Sequence, residues 1–90
     1  MLSTYIQMKY IMLNTLDGFS PILFPESFSH HSMADAHAKQ RPGHVTVSAG
    51  YVKLTTEGVV CYDESVSLGL KPRPQDAGII ERALGLGRLP

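Results

Sequence analysis

Two tight-turn signals, Asp17-Gly18 and Glu57-Gly58, each lie between apolar runs, and each is followed further on by a stretch of helical character. The chain therefore reads as strand-turn-strand-helix written twice. A two-residue hairpin turn of the primed type needs positive φ at both central positions, which Gly adopts freely and Asp tolerates better than most residues. Asp17 and Gly18 are accordingly predicted as the centre of the first turn, and Glu57-Gly58 as the second reversal.

In the first unit the apolar run Tyr10 to Leu13 is too short for a capped helix and reads as a strand. The return strand spans Phe19 to Phe24, where Pro21, lacking a backbone donor, points to a sheet edge or to the strand's start. A short helix follows, capped by Ser29 or Ser32, with Asp35 three residues after Ser32 in a loose capping box. Arg41-Pro42-Gly43 ends it by Gln40.

In the second unit the run Val45 to Thr56 changes phase between Ala49 and Val52, which predicts a β-bulge at Gly50 that lets both apolar sets face one core. Val59 to Tyr62 is the partner strand. Val66, Leu68 and Leu70 alternate and fit either a fifth short strand or a packed loop. Lys71-Pro72-Arg73-Pro74 is extended, and Gln75 to Leu84 forms the second helix, with Ile79, Ile80, Ala83 and Leu84 as its apolar stripe, Asp76 at its positive end and Gly85 as its cap. Pro25 to Ser29 echoes Asp63 to Ser67 at matching places in the two units. The expected fold is an α+β domain, ββαββα, with a mainly antiparallel sheet of four strands, or five with residues 66–70, and two helices on one face.

At 90 residues the chain fits one domain and buries only about two-thirds of its unfolded surface. A core of this size leaves a thin margin of stability, which metals, disulfides or self-association often widen. With Cys61 as the sole cysteine, no disulfide forms within a chain and no four-cysteine zinc site exists, so self-association is the leading expectation. Eight acidic residues balance eight Lys and Arg, which disfavours a reader of nucleic-acid backbones or anionic lipid. The charges are mildly segregated, acidic around Glu57, Asp63 and Glu64 and basic around Lys71, Arg73, Arg82 and Arg88. No apolar run approaches a membrane span and no secretory signal opens the chain, so a cytoplasmic protein without membrane partners is expected. Residues 1–7 read as a leader or strand extension ahead of a natural start at Met8, and residues 86–90 as a tail.

The densest polar constellation is Ser29 to His37. His30, His31, Asp35 and His37 lie within two helical turns, so two or three of them are candidates for one divalent ion, with His44 the only further histidine. This gives the alternative of a small metal-binding or ligand-binding protein, or an enzyme whose site is completed between subunits. No cofactor motif is present: Gly85-Leu86-Gly87 follows a helix rather than opening one, and neither a His-Glu-x-x-His nor a Gly-x-Ser-x-Gly pattern occurs. Cys61 reads as a small packed thiol, so no catalytic residue is assigned. Arg73 and Arg82, with Tyr51 or Tyr62 as stacking surfaces, are the candidates for a nucleic-acid alternative.

At Phe24 to His30 and at Glu64 to Leu70 the chain resembles short uncharacterised open reading frames of phages and prophages. That resemblance implies a small accessory or assembly protein and carries over no functional residue. The reading taken forward is a non-catalytic interaction module that forms homo-oligomers or meets another protein. Its contact candidates are Phe28, Leu68 and Leu70 as apolar contacts, Tyr51 and Tyr62 as an aromatic patch, and Arg73 and Arg82 as basic positions.

Overall fold

Tyr10, Ile11, Met12 and Leu13 are all buried, although neighbouring residues of a strand point to opposite sides of a sheet. A strand buried this way must be covered on both faces. The computed structural model, which describes residues 6–85, shows how. Six elements run in the order β1 (Ile6–Thr15), β2 (Gly18–Phe24), α1 (His30–Gln40), β3 (Val45–Thr55), β4 (Gly58–Tyr62) and α2 (Asp76–Leu84). The four strands form one antiparallel sheet in the order β2-β1-β3-β4. The ββαββα α+β domain read from the sequence is therefore present, with Pro21 on an edge strand. Residues 65–70 form no fifth strand; Ser65 and Leu70 make a single bridge. The proposed leader up to residue 5 and the tail 86–90 lie outside the described residues, while Ile6 and Gln7 extend β1 by pairing with Leu54 and Lys53.

The expectation of both helices on one face is corrected. Tyr10 and Met12 pack with Val52, Val59 and Ile80 of α2, whereas Ile11 and Leu13 pack with Phe24, Ala49 and the α1 residues Met33 and Ala34. The helices thus sit on opposite faces of the sheet. Connector length accounts for the difference. The short link 25–29 drops α1 directly onto the face shared by Phe24. The longer link 63–75 first places Leu68 and Leu70 against Ile11 and Ala49, then carries Pro72 round the β3 margin to the face of Gly50 and Tyr10. Leu68 and Leu70 are therefore partly buried by packing within the chain.

The bulge is also displaced from its expected position. Met12 pairs with Ser48 and Leu13 with Thr46, so the extra residue is Val47. Gly50 serves a different need: a Cβ there would stand 2.7 Å from both the Asp63 carbonyl oxygen and Pro72 Cγ, so only glycine lets the link pass.

Both hairpins turn one residue earlier than predicted. Thr15 pairs with Gly18 and Thr55 with Gly58, leaving Leu16-Asp17 and Thr56-Glu57 as the turn residues, with only the following glycines at positive φ (113° and 137°). The threonines explain the shift. The Thr15 hydroxyl donates to the Gly18 carbonyl and accepts the Asp17 amide, and Thr55 repeats both bonds with Gly58 and Glu57. The repeated unit is thus Thr-x-acid-Gly, a closer echo than the one following each hairpin.

Candidate functional site

Alternation along the strands places Lys9 of β1, Tyr51 and Lys53 of β3, and Val60 and Tyr62 of β4 on the α1 side of the sheet. Tyr51 and Tyr62 are cross-strand partners whose ring centroids lie 5.8 Å apart. His30, at the start of α1, meets Tyr51 edge-on at 5.6 Å and Phe24 edge-on at 5.6 Å. The result is an aromatic row, Phe24-His30-Tyr51-Tyr62, running from the β2 edge to the β4 edge. Lys9 Nζ lies 5.8 Å from the Tyr51 ring centre and Lys53 Nζ 5.5 Å from that of Tyr62, so each lysine rests against an aromatic face. Lys9 also donates to the Phe28 carbonyl at 2.8 Å, holding the segment that leads into α1. Phe28 and Val60 remain half exposed, at 52 % and 51 %. The surface offers flat apolar area and two cations, which is the chemistry of binding.

His30 anchors this surface from beneath. Its ring is buried and Nε2 donates to the Gly50 carbonyl at 2.7 Å. Burial lowers its pKa, against the opposing effect of the Gly50 bond and with Lys9 acting in the same direction as burial, so the neutral ring is favoured. Ser29 starts the helix by accepting the Ser32 amide, as expected of one of the two serines.

The four residues proposed as a metal set are not brought together. His30 turns into the sheet, His31 is exposed, and Asp35 pairs with Lys39 at 3.3 Å on the outer face of α1. His37 instead meets His44, with Nε2 2.9 Å from Nδ1. Among the described residues no group of three His, Cys, Asp or Glu side chains gathers as a metal set.

Of the basic candidates, Arg73 is committed internally. Its Nε lies 3.1 Å from Asp76 Oδ1, its backbone amide donates to Oδ2 at 3.0 Å, and its guanidinium lies 4.5 Å from the Phe19 ring centre. Arg82 borders a shallow groove with Phe19, Ile79 and Ala83 on the other face of the sheet, away from Tyr51 and Tyr62. The arginines and tyrosines named for nucleic acid therefore do not share a surface.

Sequence reasoning missed a buried polar network centred on Asp76. Asp76, fully buried, accepts the Tyr10 hydroxyl and the Ser48 hydroxyl, each at 2.6 Å, in addition to the two Arg73 bonds. Burial pushes its pKa up, but the bonds from Ser48, Tyr10 and Arg73 together outweigh it and hold the carboxyl below its ordinary range. Burial and Asp76 raise the Tyr10 phenol, while burial pushes the half-buried Cys61 thiol up to about 11. The network is sealed and ties α2 to β1 and β3. No helix among the described residues is long and apolar enough to cross a membrane. Comparison of the chain with family models, characterised proteins and solved structures gives no match.

Proposed function

We propose that this protein is a non-catalytic interaction module that assembles with further copies of itself through the Phe28-Tyr51-Val60-Tyr62 surface. The observation that carries this reading is the cross-strand Tyr51-Tyr62 pair, flanked by Lys9 and Lys53 and bordered by the half-exposed Phe28 and Val60. Aromatic residues with cationic neighbours are the composition enriched at protein contacts. Glu57 just before β4 and Asp63 and Glu64 just after it are all exposed, so a two-fold arrangement can set the lysines of one copy against the acids of the other. The setting suggested by the sequence resemblance is a small accessory protein of phage or prophage type.

The strand edges are weaker candidates for the contact. Pro21 removes a donor from β2, and the Val59 amide on β4 is taken by Glu81 of α2 at 3.2 Å. Sedimentation velocity of the full chain over a range of concentrations tests the reading. A dimer or larger species is expected, dissociating in the Phe28→Glu and Val60→Glu variants but not in Val66→Glu, which alters an exposed residue of the 63–75 link. A monomer throughout, or oligomers indifferent to Phe28 and Val60, would exclude it.

A further inference from the structure

The last turn of α1 and the loop after it form a backbone clip that holds two imidazoles edge to edge. The Arg41 amide donates to the His37 carbonyl at 2.8 Å and the His44 amide donates to the Arg41 carbonyl at 2.9 Å, so residues 37 and 44 are fixed relative to each other through Arg41. Their rings lie 24° from parallel with centroids 5.1 Å apart, and His37 Nε2 is 2.9 Å from His44 Nδ1. An imidazole nitrogen sits roughly 1.1 Å from its ring centre, so a 5.1 Å separation with a 2.9 Å nitrogen contact requires an in-line, edge-to-edge pair rather than a face-to-face stack. The two nitrogens aim at each other, and one proton must lie between them. The pair opens onto a groove of about 880 Å³ whose opposite wall is the first hairpin turn, including Thr15, Asp17 and Phe19.

We propose that His37 and His44 form a binding site for a zinc-class divalent ion, with His37 Nε2 and His44 Nδ1 as its two protein ligands and water from the groove completing the coordination. Neutral imidazole is the form that ligates: one of the two facing nitrogens already presents its lone pair, and the other gains one when its ring shifts the intervening proton to its outer nitrogen. That exchange moves a proton within one ring and removes none at neutral pH. A tetrahedral ion with metal-nitrogen bonds of about 2.0–2.1 Å needs its two nitrogens roughly 3.3 Å apart, with each ring turned about 35° from the in-line direction. Side-chain rotation supplies this without moving the backbone clip. Burial, His44 and Arg41 all lower the His37 pKa, which favours the neutral ring. Arg41 beside the pair opposes a cation, and the groove leaves it exposed to solvent where its charge is screened. Among the described residues no third protein ligand joins the pair. The site therefore belongs to the borderline metals that accept imidazole and water together, such as zinc, nickel and copper, rather than to calcium or magnesium.

The test is isothermal titration of the full chain, made without an affinity tag and stripped with chelator, using zinc chloride and, separately, magnesium chloride. One saturable zinc site per chain is expected, with no magnesium binding at the same concentrations. His37→Gln and His44→Gln keep a polar group of similar reach and are expected to bind zinc at least about tenfold more weakly. His31→Gln, on the same helix but exposed, is expected to bind as the parent. Nitrogen chemical shifts supply a second readout that a fold defect would not imitate: on zinc addition the Nε2 of His37 and the Nδ1 of His44 move to metal-bound values. Absence of saturable zinc binding to the folded parent would overturn the proposal. Zinc binding unchanged by either glutamine variant, or lost equally in His31→Gln, would overturn it too.

Discussion

Replacing Asp76 by Asn is the most informative single change in this molecule, because it alters charge with almost no change in volume. The carboxylate is fully buried and receives four hydrogen bonds, from Tyr10 Oη, Ser48 Oγ, Arg73 N and Arg73 Nε. Bonds to a charged acceptor contribute roughly 1.5–3 kcal/mol each against about 0.5–1.5 for neutral pairs, so the substitution weakens the set by about 4 kcal/mol. Relief of the buried charge returns part of this, leaving a net loss of roughly 3 kcal/mol, at the lower end of the range for breaking a buried charge pair. A chain of this length has a total stability of about 5–13 kcal/mol, and a 3 kcal/mol loss lowers Tm by roughly 12–24 °C. Ser48→Ala, which removes one donor and leaves the carboxylate with three, should cost about 1–2 kcal/mol. Because both changes act on one oxygen, the double variant should lose clearly less than the sum. The sign with pH follows from the lowered folded pKa. Asp76 contributes its stabilisation above the ordinary value of 3.8 and loses it as pH falls through the folded value. The parent should therefore weaken below that point, and Asp76→Asn should lack this part of the acid transition. Thermal and urea denaturation of the four proteins would decide. A loss under 0.5 kcal/mol for Asp76→Asn, or strict additivity with Ser48→Ala, would refute the view that one charged network holds α2 to the sheet.

Three further outcomes follow from single groups. Gly50→Ala places a methyl 2.7 Å from the Asp63 carbonyl oxygen and Pro72 Cγ, and should cost about 1–3 kcal/mol in denaturant titration, whereas Gly43→Ala, with nothing within 4 Å, should stay near the parent. Cys61, its thiol pushed up to about 11 by burial, should react with a thiolate-specific reagent near pH 8 roughly 200-fold more slowly than a free cysteine of pKa about 8.5, and match it once urea unfolds the chain. Tyr10, raised above its ordinary 10.0 by burial and by Asp76, contributes stability below pH 10 that is lost as pH rises past it. The phenolate absorbance due to Tyr10, read as the difference between the parent and Tyr10→Phe, should accordingly appear only with unfolding.

The order of elements is legible in the sequence because turns and prolines punctuate it: Gly18 and Gly58 end the turns, Pro42 stops α1 and Pro74 precedes α2. The side on which each helix lies is not legible by alternation alone, since the phase change in β3 admits either a bulge feeding one core or two cores on opposite faces. The deciding signal is the unbroken apolar run Tyr10 to Leu13, which suits a central strand with no solvent face. The Tyr51-Tyr62 pairing is not legible from the expected turn, because a reversal centred on Glu57-Gly58 would set Tyr62 opposite Lys53, and it is the Thr55 bonds that move the turn one residue earlier and bring the two tyrosines together. The Asp76 network is not legible either, because its partners stand 66 and 28 residues away and join it only when both hairpins and α2 have come together. The histidine cluster misleads for a related reason. Helical spacing sets His30 and His37 on one stripe beside that of His31 and Asp35, but the sheet captures His30 through the Gly50 carbonyl while the loop after α1 returns His44 to His37.

Covering both faces of so small a sheet also bears on how copies can meet. α1 lies against β1 and β3, while α2 lies against β4 and β2, so the α1 side of β4 carries Val60 and Tyr62 beyond the helix. Pairing along a free strand edge repeats without closing and leads to fibres. Here Pro21 interrupts one edge, and Glu81, by taking the Val59 amide, occupies part of the other. A contact made by the tyrosine face instead consumes that face in both partners and leaves nothing to propagate. The proposed assembly is consequently a closed dimer, and its mass should reach a plateau with rising concentration. Glu81→Ala, which uncovers the Val59 amide without touching the tyrosine face, should leave that dimer intact and add slow, concentration-dependent growth beyond it.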